Sequence, residues 1–434
     1  MADEIRAIPA QTALDASVSA PPSKAYTLRA IFLASLANGK SVLKNPLLAE
    51  DQLHAINAMR ALGAKIEIES AAGSNSLVVH GTGGMLKAPK DKIFVGNSGL
   101  SMRFLASIAS LAEKGKTVEL DGDERMRQRP VGELLKALRA LGVKAESVNN
   151  GCPPILVQGG TLAGGKARMH GGESSQFFSS ILVAAPYAQK KVELECISAM
   201  SSKPYVDITI DCMKSFSVNV QRKGYKKFAV SAGQSYKART LNIEGDYSSA
   251  SYFFAAAAIL GGNVRVKNLN PESVQGDKAF LGVLKKMGCK VMFGKDFVEV
   301  QGPKKGGNGL KGISVNMNSL PDMVPTLAVV AAFAKGKTLM TGIGHLSIKE
   351  SDRIKAPAHE LAKMGIKAVA GRGSLAVFGG SPHGAEIETY NDHRIAMAFA
   401  IAGLKVAGVK IRNPSCVRKS YPDFFSALAT LHEK

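Results

Sequence analysis

The side chains in this sequence that are best suited to acid–base chemistry and anion binding stand where helices are predicted to start. Two carboxylates, Asp322 and Glu350, precede such starts in the C-terminal half. Basic side chains hold similar positions, namely Lys24, Arg29, Arg103, Arg125, Lys349, Arg353, Arg394 and Lys419. A helix start offers unpaired N–H groups and the positive end of the dipole, so cations there complete an anion site. Carboxylates in the same place can take up and return protons.

Small and polar residues mark further helix starts. Gly96 and Gly99 enclose a GNSG segment, where the missing side chains would let a ligand approach the backbone. The remaining candidates are Ser174, Ser175, Gln176, Ser202, Tyr205, Asp392 and His393. Taken singly, each of these features is typical of a helix cap or a surface ion pair. Their recurrence at equivalent places along the chain favours a shared role in binding anions.

The elements that position these residues are repeated six times. Each copy has a small-residue apolar helix, a short β run, a second amphipathic helix and, in most copies, one or two further strands. The first helices are TLRAIFLASLANG, SMRFLASIASLAEKG, SSQFFSSILVAAPYA, SSASYFFAAAAILGG, PTLAVVAAFAKG and HRIAMAFAIAGL. A period of roughly 70 to 80 residues is long for a solenoid, so it indicates an α/β fold made by triplication and duplication within the chain.

Six units divide into two sets of three, which predicts two domains. We expect one domain at 23–240, from repeats one to three, and another formed by 1–22 with 241–434, from repeats four to six. The sixth copy ends after its second helix, SALATLHEK, and the alternating segment 5–20 could supply the strand that it lacks. The chain would then cross between domains near Pro22 and Thr240, and the two crossings would form a hinge.

The composition is typical of a globular enzyme outside the membrane and the secretory route. The chain has 434 residues, of which 45% are apolar, with 44 Gly and no Trp. The apolar helices are shorter than a membrane span, and the N-terminus lacks an apolar signal core. Five dispersed cysteines without metal-ligand spacing indicate free thiols in a reducing compartment and no zinc site. We therefore expect a cytoplasmic monomer with no metal.

The formal net charge of +21 has several interpretations. Binding to nucleic acid is not favoured, because the Lys and Arg residues are spread over the whole chain and aromatics make up only 6%. A solvated basic surface and the attraction of anionic small substrates both remain open.

Taken in order, the motifs resemble one family, the 5-enolpyruvylshikimate-3-phosphate synthases. The resemblance covers essentially the whole chain. It rests on PSK, GNSG, DERMRQRP, SSQF, SKPYVDIT, GDYSSASYF, NSLPDMVPT, IKESDRI, YNDHRIAMAFA and RKSYPDFF. The resemblance implies an inside-out α/β barrel of two pseudo-threefold domains. It also implies transfer of the enolpyruvyl group of phosphoenolpyruvate to the 5-hydroxyl of shikimate 3-phosphate, without metal or other cofactor.

By motif match, the resemblance also implies roles for individual residues. Asp322, Glu350 and Lys24 would be catalytic, with Asp322 as base for the hydroxyl and Glu350 as the group that protonates C3 and later takes a proton back. Shikimate 3-phosphate would contact Lys24, Ala25, Arg29, Ser174, Ser175, Gln176, Ser202, Tyr205, Asp322 and Lys349. Phosphoenolpyruvate would contact Lys24, Gly99, Arg125, Gln176, Arg353, His393, Arg394 and Lys419. Arginines suit both substrates, since the guanidinium fork binds carboxylate or phosphate bidentately.

Three positions depart from the family pattern. Ala25 stands where the family usually has Ser, Leu100 where it has Thr, and His345 where many members have Asn. Leu100 is bulkier at the expected edge of the phosphoenolpyruvate pocket, so we predict weakened inhibition by glyphosate.

Two alternatives remain at this stage. A UDP-N-acetylglucosamine enolpyruvyl transferase would share the architecture, but its reactive loop carries a cysteine that DGDERMRQRPVG lacks. A non-catalytic polyanion-binding protein on the same scaffold is disfavoured because both Asp322 and Glu350 are retained.

Overall fold

A computed structural model of the chain describes residues 4–11, 14–71, 74–303 and 309–431. The strands are β1 (Ile5–Ala7), β2 (Asp15–Ser19), β3 (Asn38–Lys44), β4 (Lys65–Ala71), β5 (Ser74–Thr82), β6 (Ile93–Phe94), β7 (Thr117–Asp121), β8 (Ala145–Asn149), β9 (Cys152–Gln158), β10 (Gly165–Met169), β11 (Val192–Cys196), β12 (Gln221–Lys223), β13 (Lys227–Val230), β14 (Thr240–Asn242), β15 (Asn263–Lys267), β16 (Lys290–Phe293), β17 (Phe297–Gln301), β18 (Ser314–Asn316), β19 (Lys337–Thr341), β20 (Ala368–Ala370), β21 (Ser374–Phe378), β22 (Glu386–Ile387) and β23 (Lys410–Arg412).

The α-helices are α1 (Lys24–Leu36), α2 (Glu50–Ala61), α3 (Gly99–Ile108), α4 (Gly132–Ala140), α5 (Gln176–Ala184), α6 (Pro204–Ser215), α7 (Tyr247–Leu260), α8 (Phe280–Met287), α9 (Val324–Ala332), α10 (Lys355–Lys363), α11 (His393–Gly403) and α12 (Phe424–Ala429). Short 3₁₀ helices lie at Ala109–Leu111, Met126–Gln128, Ala185–Tyr187, Gly276–Ala279, Pro321–Met323, Gly344–Ile348 and Pro414–Lys419. Among these described helices, none is both long and apolar enough to cross a membrane.

The chain forms two compact units. One unit is Pro22–Ile243, and the other combines Met1–Pro21 with Glu244–Lys434. We call them the central unit and the terminal unit. Each has its own continuous apolar core.

Helices fill the inside of each unit and sheets cover the outside, which is the inside-out α/β barrel that the resemblance implied. The inner helices of the central unit are α1, α3 and α5, and those of the terminal unit are α7, α9 and α11. All the residues of α3, α9 and α11 are buried, so these helices pack against the rest of the unit on every side. Their many Ala, Ser and Gly residues let the backbones pack closely.

The sheets repeat one topology. In the central unit the strand orders are β14-β3-β5-β4, β6-β7-β9-β8 and β10-β11-β13-β12. In the terminal unit they are β16-β17-β15-β2, β18-β19-β21-β20 and the three-stranded β1-β23-β22. In every sheet one edge strand is parallel to the strand that follows the inner helix, while the next strand is antiparallel to it.

The N-terminal segment contributes two strands where the alternation predicted one. β1 pairs antiparallel with β23 in the sixth repeat, with Ile5 opposite Arg412. β2 instead pairs in parallel with β15 of the fourth repeat, with Val18 opposite Val266. Residues 12 and 13, in the middle of the predicted strand, lie outside the described residues, as do the last three of the predicted terminal helix.

At each crossing, the last strand before the crossing belongs to a sheet of the unit that the chain is leaving. β2 precedes α1 of the central unit but completes a sheet of the terminal unit. β14 precedes α7 of the terminal unit but pairs with β3 of the central unit. The chain therefore passes between the units next to Pro21 and Ile243.

Candidate active site

The starts of α9, α10 and α11 bring three carboxylates onto one guanidinium in the terminal unit. Arg353 lies 2.9 Å from Asp322 Oδ1, 3.0 Å from Glu350 Oε2 and 2.7 Å from Asp392 Oδ2. Arg394 Nη2 lies 2.6 Å from the second oxygen of Asp322. We call these five side chains the acidic cluster. It unites the two predicted catalytic carboxylates with two of the predicted phosphoenolpyruvate ligands.

The positions of Asp392 and Asp322 in the acidic cluster are determined by the helix starts at which they lie. Asp392 is the N-cap of α11 and accepts a hydrogen bond from Arg394 N at 2.9 Å, as Asp commonly does at a helix start. Its other oxygen accepts from Ser351 Oγ at 2.8 Å. Asp322 lies in the 3₁₀ helix ahead of α9. Asp392 is fully buried, whereas the Asp322 side chain is 20% exposed and so is open to a ligand.

The charges of the acidic cluster are strongly coupled. Burial by itself would lower the pKa of Arg353, but the nearby carboxylates of Asp392, Glu350 and Asp322 outweigh it and raise that pKa. Arg353 is therefore a permanent cation. The buried Asp277 belongs to the same electrostatic group, because burial and then the charge of Asp322 raise its pKa to about 7.

Lys349, His345 and His393 lie close in sequence to members of the acidic cluster, whereas Lys419 lies further along the chain. Lys349 directly follows the 3₁₀ helix Gly344–Ile348 and is half-buried. His393 is the first residue of α11, and its Nδ1 atom lies 3.6 Å from Asp392 Oδ1. Lys419 ends the last 3₁₀ helix and is buried. His345 has a pKa lowered to about 4, by burial first and then by the charge of Lys349.

In the central unit, Lys24 begins α1 and forms an ion pair with a residue that the sequence did not reveal. Its Nζ atom lies 2.6 Å from Asp51 Oδ2, in the first turn of α2. The Asp51 carboxylate is almost entirely buried, while 18% of the Lys24 side chain is exposed. No spacing pattern connects the two residues, so only the packing of α1 against α2 identifies the pair.

Arg29 is fully buried in the central unit. Its Nε donates to Thr209 Oγ1 at 2.8 Å, and its terminal nitrogens donate to the carbonyls of Ala25 and Tyr205 at 2.9 and 3.0 Å. The guanidinium also lies against the Phe104 ring, 5.5 Å from its centroid. Burial lowers the pKa of Arg29. The predicted contact of Arg29 with shikimate 3-phosphate stays a prediction.

The predicted hydroxyl and amide ligands lie near one another at the starts of α5 and α6. Ser175 Oγ donates to the carbonyl of Ser202 at 2.9 Å. Ser174 Oγ accepts from Gln176 N at 3.3 Å, and Gln176 Oε1 accepts from Arg103 Nη1 at 2.6 Å. Because Arg103 belongs to α3, these bonds join the starts of three helices.

Gly99 has a defined packing reason to be glycine. A Cβ built at this residue would lie 2.5 Å from Nη2 of Arg129, an arginine of the DERMRQRP motif to which the resemblance assigned no substrate contact. Arg129 is buried and donates to the side-chain oxygen of Asn97 at 3.0 Å. Arg125, the predicted ligand nearby, is half-buried and donates to Gln128 at 3.1 Å.

The three departures from the family pattern lie at helix starts or beside the acidic cluster. Ala25 is partly buried in the first turn of α1, where its carbonyl accepts from Arg29. Leu100 is buried as the second residue of α3. His345 is in the 3₁₀ helix that leads to Lys349. Within the described residues, no three His, Cys, Asp or Glu side chains are arranged as a metal site.

Comparison with known proteins identifies the family of the chain. Residues 8–428 match the family described as EPSP synthase (3-phosphoshikimate 1-carboxyvinyltransferase). The chain is 46% identical over 418 residues to a 3-phosphoshikimate 1-carboxyvinyltransferase of Methanosphaerula palustris, covering 96% of both chains. It is 39% identical to the Trichormus variabilis protein of the same name, covering 97% of both.

A solved EPSP synthase from Acinetobacter baumannii has the same fold. It superposes with a TM-score of 0.80 at 28% identity, and the match covers 98% of each chain. Together with the family match, this shows that the chain belongs to the EPSP synthase (3-phosphoshikimate 1-carboxyvinyltransferase) family.

Proposed function

We propose that the chain transfers the enolpyruvyl group of phosphoenolpyruvate to the 5-hydroxyl of shikimate 3-phosphate and releases phosphate. The observation that carries this proposal is the sharing of Arg353 by Asp322 and Glu350, at 2.9 and 3.0 Å. Two carboxylates beside two guanidiniums suit a reaction that moves protons on bound anions. The names of the family and of its relatives supply the acceptor, and they favour shikimate 3-phosphate over UDP-N-acetylglucosamine.

The reaction needs one base and one acid. Asp322 accepts the proton of the 5-hydroxyl as its oxygen forms a bond to C2 of phosphoenolpyruvate, while Glu350 donates a proton to C3. The tetrahedral intermediate then loses phosphate as the C2–O bond breaks, and the departing phosphate oxygen takes the proton held by Asp322. Glu350 takes back a proton from C3 as the double bond returns. Protons and electron pairs balance over the two steps without an oxidant or a metal.

The charge of the acidic cluster supports the proton donor. Within the acidic cluster three carboxylates face two guanidiniums, and Lys349 directly precedes Glu350 in the chain. An arriving anionic substrate adds more negative charge, so proton uptake by one of these carboxyls becomes favourable. A substrate phosphate or carboxylate would also compete with Asp322 for Arg353 and Arg394, which would free Asp322 to act as a base.

The further ligands stay as the motifs imply. We propose that shikimate 3-phosphate contacts Lys24, Ala25, Arg29, Ser174, Ser175, Gln176, Ser202, Tyr205, Asp322 and Lys349. We propose that phosphoenolpyruvate contacts Lys24, Gly99, Arg125, Gln176, Arg353, His393, Arg394 and Lys419. Support comes from the hydrogen bonds that join the starts of α3, α5 and α6, and from the position of Lys24 at the start of α1.

We further propose that the chain works as a cytoplasmic monomer. All five cysteines are free thiols, as is typical of a reducing compartment. One chain supplies every residue that we assign to the substrates. Light scattering at assay concentrations tests the oligomeric state.

Phosphate release tests the reaction and its acceptor together. The purified protein is given phosphoenolpyruvate with shikimate 3-phosphate, with unphosphorylated shikimate, or with UDP-N-acetylglucosamine. We expect release only with shikimate 3-phosphate, and a kcat about 10²- to 10⁴-fold lower for Glu350→Gln, since that change removes an acid–base group. Release of phosphate with UDP-N-acetylglucosamine would contradict the proposal, and so would the absence of release with all three acceptors.

Asp352→Asn is the matched control for Glu350→Gln. It makes the same change of carboxylate to amide two residues away. The Asp352 carboxylate accepts hydrogen bonds from the backbone of Ile354 and Lys355, both at 3.1 Å. Asn can cap a helix in the same way, so activity should stay close to that of the wild type.

A further inference from the structure

We infer that Glu360 is a positioning residue for the acidic cluster. It acts through the turn Thr389–Asp392, which ends in the carboxylate that holds Arg353. The inference rests on the proposed function, because the effect that we expect from changing Glu360 is on the KM for phosphoenolpyruvate.

Glu360 is a fully buried carboxylate beneath this turn. It lies on α10, and its oxygens accept from Lys363 Nζ at 2.6 Å, from Glu388 N at 3.0 Å and from Tyr390 Oη at 2.7 Å. His359 Nδ1 lies 3.1 Å from the same carboxylate and 2.8 Å from Tyr390 Oη. Two of these contacts, from Glu388 and Tyr390, come from the segment that leads into α11. A single side chain on α10 therefore anchors the entry to the next inner helix.

The anchored turn has a backbone that a Tyr residue rarely adopts. Asp392 N donates to Thr389 O at 2.8 Å, which closes a four-residue turn. Its two central residues, Tyr390 and Asn391, both have positive φ, at 54° and 52°. Asn tolerates this left-handed region, but Tyr does so only where surrounding contacts hold it. The hydrogen bond from the Tyr390 hydroxyl to Glu360 is such a contact.

The turn delivers Asp392 to the acidic cluster. As the last residue of the turn, Asp392 receives two hydrogen bonds from Arg353, Nε to Oδ2 at 2.7 Å and Nη2 to Oδ1 at 3.0 Å. A bidentate pair of this kind fixes the plane of the guanidinium. The orientation of Arg353 toward Asp322 and Glu350 thus depends on where the turn places Asp392.

A second contact links the same turn to the 3₁₀ helix that ends at Lys419. Asn413 Nδ2 donates to Asn391 Oδ1 at 3.2 Å. Asn413 directly precedes the 3₁₀ helix Pro414–Lys419, whose last residue is a predicted phosphoenolpyruvate ligand. Relaxation of the turn is therefore expected to disturb the phosphoenolpyruvate ligands of the terminal unit, and to leave Arg29 and Ser175 of the central unit in place.

The first test removes the anchor from either end. Glu360→Gln keeps the size of the side chain but loses the carboxylate, and Tyr390→Phe loses only the hydroxyl. For each variant we expect a KM for phosphoenolpyruvate raised about tenfold, as for loss of a hydrogen bond to a charged group. The KM for shikimate 3-phosphate should change less than twofold. If Glu360 had only a structural role, the variants would have a lower melting temperature, and the KM values for phosphoenolpyruvate and shikimate 3-phosphate would change by similar factors.

A rescue variant distinguishes the strained turn from general damage. Glycine adopts positive φ without steric cost, so Tyr390→Gly lets the turn form without an anchor. The double variant Glu360→Gln with Tyr390→Gly should have a lower KM for phosphoenolpyruvate than Glu360→Gln alone. If Glu360→Gln fails to fold, Tyr390→Phe and Tyr390→Gly still provide the comparison.

Tyr187→Phe is the matched control for Tyr390→Phe. The Tyr187 hydroxyl also donates to a buried oxygen, the carbonyl of Leu36, but at the C-terminal end of α1. We expect both KM values to stay within twofold of the wild type in this control.

A measurement without substrate completes the test. The amide of Asp392 closes the turn, so its hydrogen exchange should be about tenfold faster in Tyr390→Phe if the anchor holds the turn. Unchanged exchange together with unchanged KM values would overturn the inference. A wild-type protein that releases no phosphate would instead refute the proposed function, while the exchange result would still decide whether Glu360 anchors the turn.

Discussion

Replacing Arg29 by Met should leave the folded protein nearly as stable as before while removing its response to shikimate 3-phosphate. Arg29 is a fully buried cation, and among the described residues no carboxylate lies within ion-pair distance of it. A buried guanidinium with only neutral oxygen partners is a poor contributor to stability but a good receptor for an anion.

The magnitudes follow from its contacts. Arg29 donates three hydrogen bonds in the folded protein, each contributing about 1.5 to 3 kcal/mol for a charged donor. Taking the guanidinium out of water costs several kcal/mol, which offsets most of that gain. Met fills much of the same volume without a charge, so we expect the free energy of unfolding of Arg29→Met to lie within about 2 kcal/mol of the wild-type value.

Ligand-induced stabilisation is the assay. At a concentration of 100 Kd, shikimate 3-phosphate should stabilise the wild type by about 2.7 kcal/mol. Loss of a bidentate contact lowers the affinity about 100-fold, which reduces the stabilisation to roughly 0.4 kcal/mol in Arg29→Met at the same concentration. For a unit of this size the wild-type melting temperature should rise by about 5 to 11 °C, and that of the variant by about 1 °C.

Arg60→Met is the control for this experiment. Arg60 also donates from Nε to a carbonyl, that of Ile66, at 3.0 Å, but at the far end of α2. Shikimate 3-phosphate should raise the melting temperature of Arg60→Met as much as that of the wild type. An undiminished response in Arg29→Met would refute the assignment of Arg29 as an anion ligand, and a loss of stability well above 2 kcal/mol would refute the estimate of its cost.

Three further predictions concern single positions. Gly99→Ala should raise the KM for phosphoenolpyruvate about tenfold, because the new Cβ would lie 2.5 Å from the Arg129 guanidinium and so displace it. An unchanged KM would mean that this displacement does not affect binding. The pKa of His345 is lowered to about 4, so the unfolded chain binds more protons between pH 4 and 6.5 and stability falls as the pH drops through that range, by at most about 3 kcal/mol. Denaturant titrations of His345→Asn should therefore show a weaker loss over this range. Leu100→Thr should strengthen inhibition by glyphosate, and an unchanged inhibition constant would show that the side chain does not limit access to that pocket.

The sequence predicted the inner helices and the strands after them well, because both depend on neighbouring residues. The Ala-rich run before Gly261 is apolar on every side, and the structure buries nearly all of α7. The N-terminal segment was harder to predict. Its alternation indicates a strand but not the partner of that strand, and the structure assigns β1 and β2 to different sheets.

The site shows the same division. Helix starts carry a local signal, so Asp322, Glu350 and Arg353 could be selected from their positions in the repeat. Their partners could not be predicted. Nothing in the sequence connects Asp51 with Lys24, or Thr209 of the SKPYVDIT motif with Arg29.

By itself the sequence determined the six repeated units, the residue types at the helix starts and the family. Tertiary structure decided that three carboxylates share Arg353, two of them 31 and 39 residues away along the chain. It also decided that Tyr390 accepts a left-handed backbone above Glu360. The physical reason is range: periodicity and capping depend on residues within a few turns, whereas these contacts form only when the packed cores offset the entropy of closing long loops.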